Sequence, residues 1–287
     1  MSMVGGIHDA QYSGRCLATA HADGVVRVGS SELRGHKAAV LCLAWAEGIE
    51  DSLLASGAAD GHVIIWREFR SEWQILHHKY VPGSARSIGF SAPEPCLVLA
   101  IGGGDELGVL TFLVEMRRGA TNPDNWQVKS LPAHTGGITS LSWAPSSGPV
   151  LATGPAARSG RWLGANRLAT CGADGQMIIW RIDARNDNFL REHILDSESS
   201  CLAWRPNVGL PGNCLAACAD GVVVLIAQDA DGLPFETRQK WSVDGAARRL
   251  SWTKAGTMLA VSVDSDKCFL YKEAVGGWKM AASLDGK

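Results

Sequence analysis

Short apolar runs punctuated by Asp-Gly pairs recur along the chain. Leu54-Ala55-Ser56 leads through Asp60-Gly61 to Val63-Ile64-Ile65-Trp66, and Leu168-Ala169-Thr170 leads through Asp174-Gly175 to Met177-Ile178-Ile179-Trp180. An apolar strand, a tight Asp-Gly turn and a second apolar strand predict a β-hairpin. Weaker copies are Leu17-Ala18-Thr19 with Asp23-Gly24-Val25-Val26, and Leu215-Ala216-Ala217 with Asp220-Gly221-Val222-Val223. Degenerate copies carry Asp105, and Asp264 or Asp266. Upstream of five copies stands a further block: Leu43-Ala44-Trp45, Ile88-Gly89-Phe90, Leu141-Ser142-Trp143, Leu202-Ala203-Trp204 and Leu250-Ser251-Trp252. The strands read as continuous apolar runs rather than strict alternation, which implies sheets covered on both faces. The connecting segments are too short and Gly-rich to supply the helices of an α/β fold.

The aspartates fall at 23, 60, 105, 174, 220 and 264, in steps of 37, 45, 69, 46 and 44. Apart from the 69, these match the ~40–45-residue period of WD-type propeller blades. The long step contains a Gly-, Pro- and Ala-rich stretch from Pro149 to Asn166, expected to be a loop insertion in the fourth blade. Six copies predict an all-β, six-bladed WD-repeat β-propeller filling residues 1–287 as one domain, with blades near 7–34, 36–80, 84–131, 134–195, 198–240 and 244–284.

Two copies carry a matched polar set: His36, Ser56, Asp60 and Trp66, then His134, Thr170, Asp174 and Trp180. The hydroxyl-to-Asp offset is 4 and the Asp-to-Trp offset is 6 in both. The sets resemble the WD-repeat tetrad, in which these groups form one buried hydrogen-bond chain that rigidifies a blade when every member is satisfied. A serine-hydrolase reading is poor, because the sets recur per repeat and no G-x-S-x-G elbow is present.

Composition narrows the classes further. With 46% hydrophobic residues and a net charge of −2, the chain is neither disordered nor marked by the basic excess of a dedicated nucleic-acid binder. No apolar run approaches the ~18 residues of a membrane helix, and Met1 to Gly6 show no secretory signal. The eight cysteines include no C-x-x-C and no zinc spacing. They are expected to be buried, reduced thiols. No catalytic residue, cofactor or metal site is expected; Gly102-Gly103-Gly104-Asp105 opens no helix and does not read as a phosphate loop. Arg158, Arg161, Arg167 and Trp162 are expected in a basic insertion loop, and the pairs Arg117-Arg118 and Arg248-Arg249 as surface charge. His77-His78 is too isolated for a metal.

Several segments in order resemble the Sec-thirteen family, the small WD-repeat propeller shared by the outer COPII vesicle coat and the nuclear-pore scaffold. They include Ile7-His8-Asp9-Ala10-Gln11, Leu33-Arg34-Gly35-His36, Val63-Ile64-Ile65-Trp66-Arg67-Glu68, Ala133-His134-Thr135, Ser142-Trp143-Ala144-Pro145, Trp204-x-Pro206 with Gly209-Leu210-Pro211, and Gly277-Trp278. Departures are Val28-Gly29, where an aromatic residue is usual, and Leu225-Ile226 without Trp. The resemblance implies an open propeller completed by a seventh blade from an α-solenoid partner, a coat or nucleoporin subunit. It implies a scaffold role in ER-to-Golgi transport or at the nuclear pore, in the cytoplasm at ER exit sites, with membrane contact only through the coat. Walls of the seam are expected from Leu17, Val25, Val26 and Val28 on one side and Leu259, Val261, Phe269 and Tyr271 on the other. Covering several hundred Å² of apolar sheet would contribute on the order of 10 kcal/mol before association costs. The alternative is an autonomous adaptor reading peptides at the propeller's top face, which would need basic or aromatic residues recurring at equivalent loop positions.

Overall fold

In a computed structural model, residues 6–14, 16–47, 52–93, 97–104, 108–115, 126–145, 166–183, 188–196, 199–206, 212–230, 233–264 and 267–285 are described. The Pro149–Asn166 insertion up to residue 165, Arg117, Arg118, Arg158, Arg161, Trp162 and Asp105 lie outside them. Among the described residues there is no helix.

Among the described residues the strands form six four-stranded antiparallel sheets, each built from four consecutive strands. The first holds β1 to β4 (Ile7–Tyr12, Leu17–His21, Val25–Val28, Ser31–Arg34), and the second β5 to β8 (Val40–Trp45, Leu53–Ala58, His62–Phe69, Glu72–Tyr80). The third holds β9 to β12 (Ala85–Phe90, Val98–Gly103, Val109–Glu115, Trp126–Pro132), and the fourth β13 to β16 (Ile138–Trp143, Asn166–Gly172, Gln176–Asp183, Asn188–Asp196). The fifth holds β17 to β20 (Cys201–Trp204, Asn213–Ala219, Val222–Gln228, Glu236–Ser242), and the sixth β21 to β24 (Ala247–Trp252, Met258–Val263, Lys267–Ala274, Gly277–Asp285). By compactness the chain forms two units, Met1–Leu141 with Gly172–Asp174, and Ser142–Cys171 with Gly175–Lys287.

The Asp-Gly pairs make the turns the sequence predicts. Gly24, Gly61, Gly175 and Gly221 sit at φ of 81°, 80°, 75° and 78°, where an L side chain is strained. At Gly61 a Cβ would also lie 2.3 Å from the carbonyl oxygens of Val81 and Gly83.

The second sheet shows why the strands lack visible alternation. Leu43, Leu54, Ile64 and Trp66 pack with Ala18, Ala20, Val26 and Val28 of the first sheet. Their chain neighbours Cys42, Ala44, Leu53, Ala55, Val63 and Ile65 pack with Ile88, Leu99 and Ile101 of the third. Successive side chains still point to opposite faces, but both faces are apolar and β6 is buried throughout. In the second unit, Leu202, Trp204, Leu215 and Ile226 pack with Ala169 and Ile179. On the other face of the fifth sheet, Cys218, Val223 and Leu225 pack with Leu259, Val261, Phe269 and Tyr271. The last strand of each sheet differs: β8 and β20 alternate or lie exposed.

Candidate functional site: the terminal sheet faces and the inter-sheet clamps

The polar sets are built by strand pairing. In the second sheet the indole N–H of Trp66 donates to Ser56 Oγ at 2.8 Å, and Ser56 Oγ lies 2.7 Å from His36 Nε2. Asp60 does not complete the chain. Its carboxylate accepts from the main-chain N–H of His62 at 3.2 Å, and His36 Nδ1 is buried without a hydrogen-bond partner. Burial pushes the His36 imidazole down to about 4, against a smaller upward pull from Asp60. Asp174, in contrast, holds His134 Nδ1 at 2.9 Å and accepts from the Thr135 N–H at 2.9 Å. Trp180 donates to Thr170 Oγ1 at 2.9 Å. These groups bond to one another and present no nucleophile to solvent, so the geometry is that of structural braces.

A second recurring device joins neighbouring sheets. Each first strand closes on an aromatic residue, and five of these pair in register with a leucine: Tyr12 with Leu17, Trp45 with Leu54, Phe90 with Leu99, Trp204 with Leu215 and Trp252 with Leu259. Trp45 donates its indole N–H to the Gln11 carbonyl at 3.1 Å, and Trp252 donates to the Ala203 carbonyl at 3.0 Å. In both, the acceptor precedes the aromatic residue of the preceding sheet. Side chains add to the joint: Asp9 accepts from Leu43 N–H at 2.9 Å and Ser87 from Leu141 N–H at 3.0 Å. The aromatic block is visible in the sequence as a recurrence, whereas the carbonyl each indole reaches lies on another sheet, 34 residues away for Trp45 and 49 for Trp252.

The expected seam residues divide by strand phase. On the first sheet, Val26 and Val28 belong to the interior shared with the second sheet, whereas alternation puts Leu17 and Val25 on the opposite face. Leu17 is 49% exposed and Val25 is buried. That outward face also carries Tyr12 (63% exposed) and the ion pairs of Arg27 with Asp23 and Glu32. On the last sheet all four expected residues, Leu259, Val261, Phe269 and Tyr271, turn inward to the fifth sheet. The face turned away consists of the alternate set: Met258, Ala260, Cys268, Leu270 and Ala282, all half-buried, with Leu284 exposed. Continuous apolar runs offer no cue to phase, so the expected set mixes both faces of the first sheet and takes the inward face of the last.

Other expected positions fall into structural roles. Arg167 lies in β14 rather than in a loop, buried and ion-paired to Glu192 at 2.7 and 2.8 Å. Arg181 pairs with the same carboxylate. Burial works to raise the Glu192 carboxyl, but the arginines prevail and hold it below its usual range. Arg248 lies 3.7 Å from Asp264. His78 pairs with His62 at 2.8 Å. Among the described residues, no group of three His, Cys, Asp or Glu is placed to hold a metal. Cys42, Cys171, Cys201 and Cys218 are buried free thiols. A cleft of ≈ 340 Å³ in the second unit is lined by Trp204, Arg205, Cys214, Gln239, Glu273 and Trp278. Arg205 bonds the Gly256 carbonyl at 2.7 Å and Glu273 at 2.8 Å while stacking over Trp252 and Trp278. Burial there pushes the Cys214 thiol up to about 11.

Six four-stranded sheets, Asp-Gly hairpins and hydroxyl–indole braces define a WD-repeat β-propeller. The WD domain, G-beta repeat family matches residues 30–67 and 125–181. A chain in the crystal structure of the mitotic checkpoint complex shares the fold, with a TM-score of 0.67 and 16% identity over 93% of this chain and 74% of that one. The protein SEC13 homolog of Drosophila melanogaster is 32% identical, over 94% of this chain and 78% of its own length. Protein transport protein SEC13 of Cryptococcus neoformans is 31% identical, over 97% and 94%. The chain belongs to the SEC13 family.

Proposed function

We propose that the chain is a non-enzymatic scaffold subunit that accepts a β-blade from an α-solenoid partner. It serves the COPII coat in ER-to-Golgi transport, the nuclear-pore scaffold, or both, and works in the cytoplasm at ER exit sites and vesicles or at the pore. Membrane contact runs through the coat, and no nucleic acid is bound directly. Relatives of the chain carry the name SEC13, several of them as protein transport proteins. One structural observation carries the blade insertion. Among the described residues every sheet is made of four consecutive strands, and the outward faces of the first and last sheets keep apolar side chains in partial contact with water. Such patches mark partner sites on soluble proteins.

The test is co-expression with blade-bearing fragments of the outer-coat solenoid subunit and its nuclear-pore counterpart. A 1:1 complex is expected, with a melting temperature raised by about 5–10 °C at saturating partner. A monomer that binds neither fragment and melts unchanged would overturn the reading.

A further inference from the structure

The clamps run in one direction. Trp45 reaches back from the second sheet to the first, and Trp252 from the sixth to the fifth, each donating to the carbonyl one residue before the preceding sheet's own aromatic residue. Tyr12 occupies the same position in the first sheet: it ends the first strand and pairs in register with Leu17, as Trp45 does with Leu54 and Trp252 with Leu259. No sheet precedes β1 among the described residues. Tyr12 accordingly differs from Trp45 and Trp252, which are half-buried. It is 63% exposed, beside its register partner Leu17 at 49%.

We infer that Tyr12 is the clamp for the donated blade, its phenol O–H donating to a main-chain carbonyl of that blade's first strand. This rests on the blade-insertion reading above. The chemistry suits the position, since a phenol, like an indole, joins an apolar ring to a single outward donor. The repeat also describes the guest. Its first strand must present a free carbonyl just before its last residue.

The test measures affinity of the wild-type chain, Tyr12→Phe, Tyr12→Ala and the control Tyr80→Phe for the blade-bearing fragment of the outer-coat solenoid subunit, with the nuclear-pore counterpart as a second arm. Tyr80 is exposed on the outer strand of the second sheet. Loss of one hydrogen bond predicts about fivefold weaker binding for Tyr12→Phe. Tyr12→Ala is expected to weaken binding further, Tyr80→Phe to leave it unchanged, and the lone chains to melt alike. Wild-type affinity for both Tyr12 variants would overturn this inference and leave blade insertion standing. So would a loss in Tyr12→Ala without one in Tyr12→Phe, which would reduce Tyr12 to packing. Failure of the wild-type chain to bind either fragment would overturn both.

Discussion

The indole N–H of Trp252 donates to the carbonyl of Ala203 at 3.0 Å, joining the first strands of two successive sheets. Trp204 has no such bond, and its Nε1 is buried without a partner. The two positions therefore separate packing from hydrogen bonding. Trp252→Phe should cost about 1 kcal/mol more than Trp204→Phe, since only the former strips a partner from a carbonyl. Urea unfolding midpoints of the two variants measure the difference.

His36 links the brace of the second sheet to solution pH. Its folded-state pKa, about 4, lies below the unfolded value near 6.5. Between these values the unfolded chain binds a proton that the folded one refuses, so stability is present above pH ~6.5 and is lost as pH falls toward 4. The loss amounts to about 3 kcal/mol at most. Unfolding curves at pH 7, 5.5 and 4 should show it in the wild type, and His36→Asn should flatten the profile over that range.

Glu192 holds two guanidinium groups, and its own side chain is only 12% exposed. Glu192→Gln would leave Arg167 charged and buried against a neutral amide, at a cost of about 3–5 kcal/mol. The folded-state pKa of Glu192 is lowered, so its contribution is present above the ordinary carboxylate range and disappears as pH falls through the folded value. Calorimetry of the variant at pH 7 should show a clear drop in melting temperature, shrinking relative to wild type in acid.

The hairpin between β7 and β8 turns on Arg70 and Ser71, both at positive φ (52° and 65°). A two-residue turn of this hand favours Asn-Gly. Ser71→Gly should therefore stabilise the chain by about 0.5–1 kcal/mol, visible as a higher urea midpoint with unchanged slope.

Much of this architecture is legible in the sequence because the sheets repeat a local code: an aromatic residue closes the first strand, and in four of the six an Asp-Gly pair places a left-handed glycine between the next two. Asp174 and Trp180 are legible for the same reason, since their offsets mirror strand geometry. What could not be read is phase. Val25 and Val26 look alike in the chain yet lie on opposite faces, and Leu259 and Val261 sit inward while Ala260 and Leu270 face out, because covering both faces of a sheet erases the polar half of the alternation. Arg167, expected with the basic insertion loop, lies in β14 against Glu192, 25 residues away on a non-adjacent strand, a pairing no local pattern encodes.

Cys268 offers the most direct test of blade insertion. Its free thiol is half-buried on the last sheet's outward face, opposite Leu284 and beside the Leu270 position. Maleimide labelling followed by mass spectrometry, with and without the blade-bearing solenoid fragment, measures whether that face is covered. Blade insertion predicts that Cys268 labels in the lone chain and slows markedly in the 1:1 complex, while Cys214 in its cleft changes little. Equal labelling of Cys268 in a complex proven stoichiometric would mean that the partner docks elsewhere, and would contradict the account.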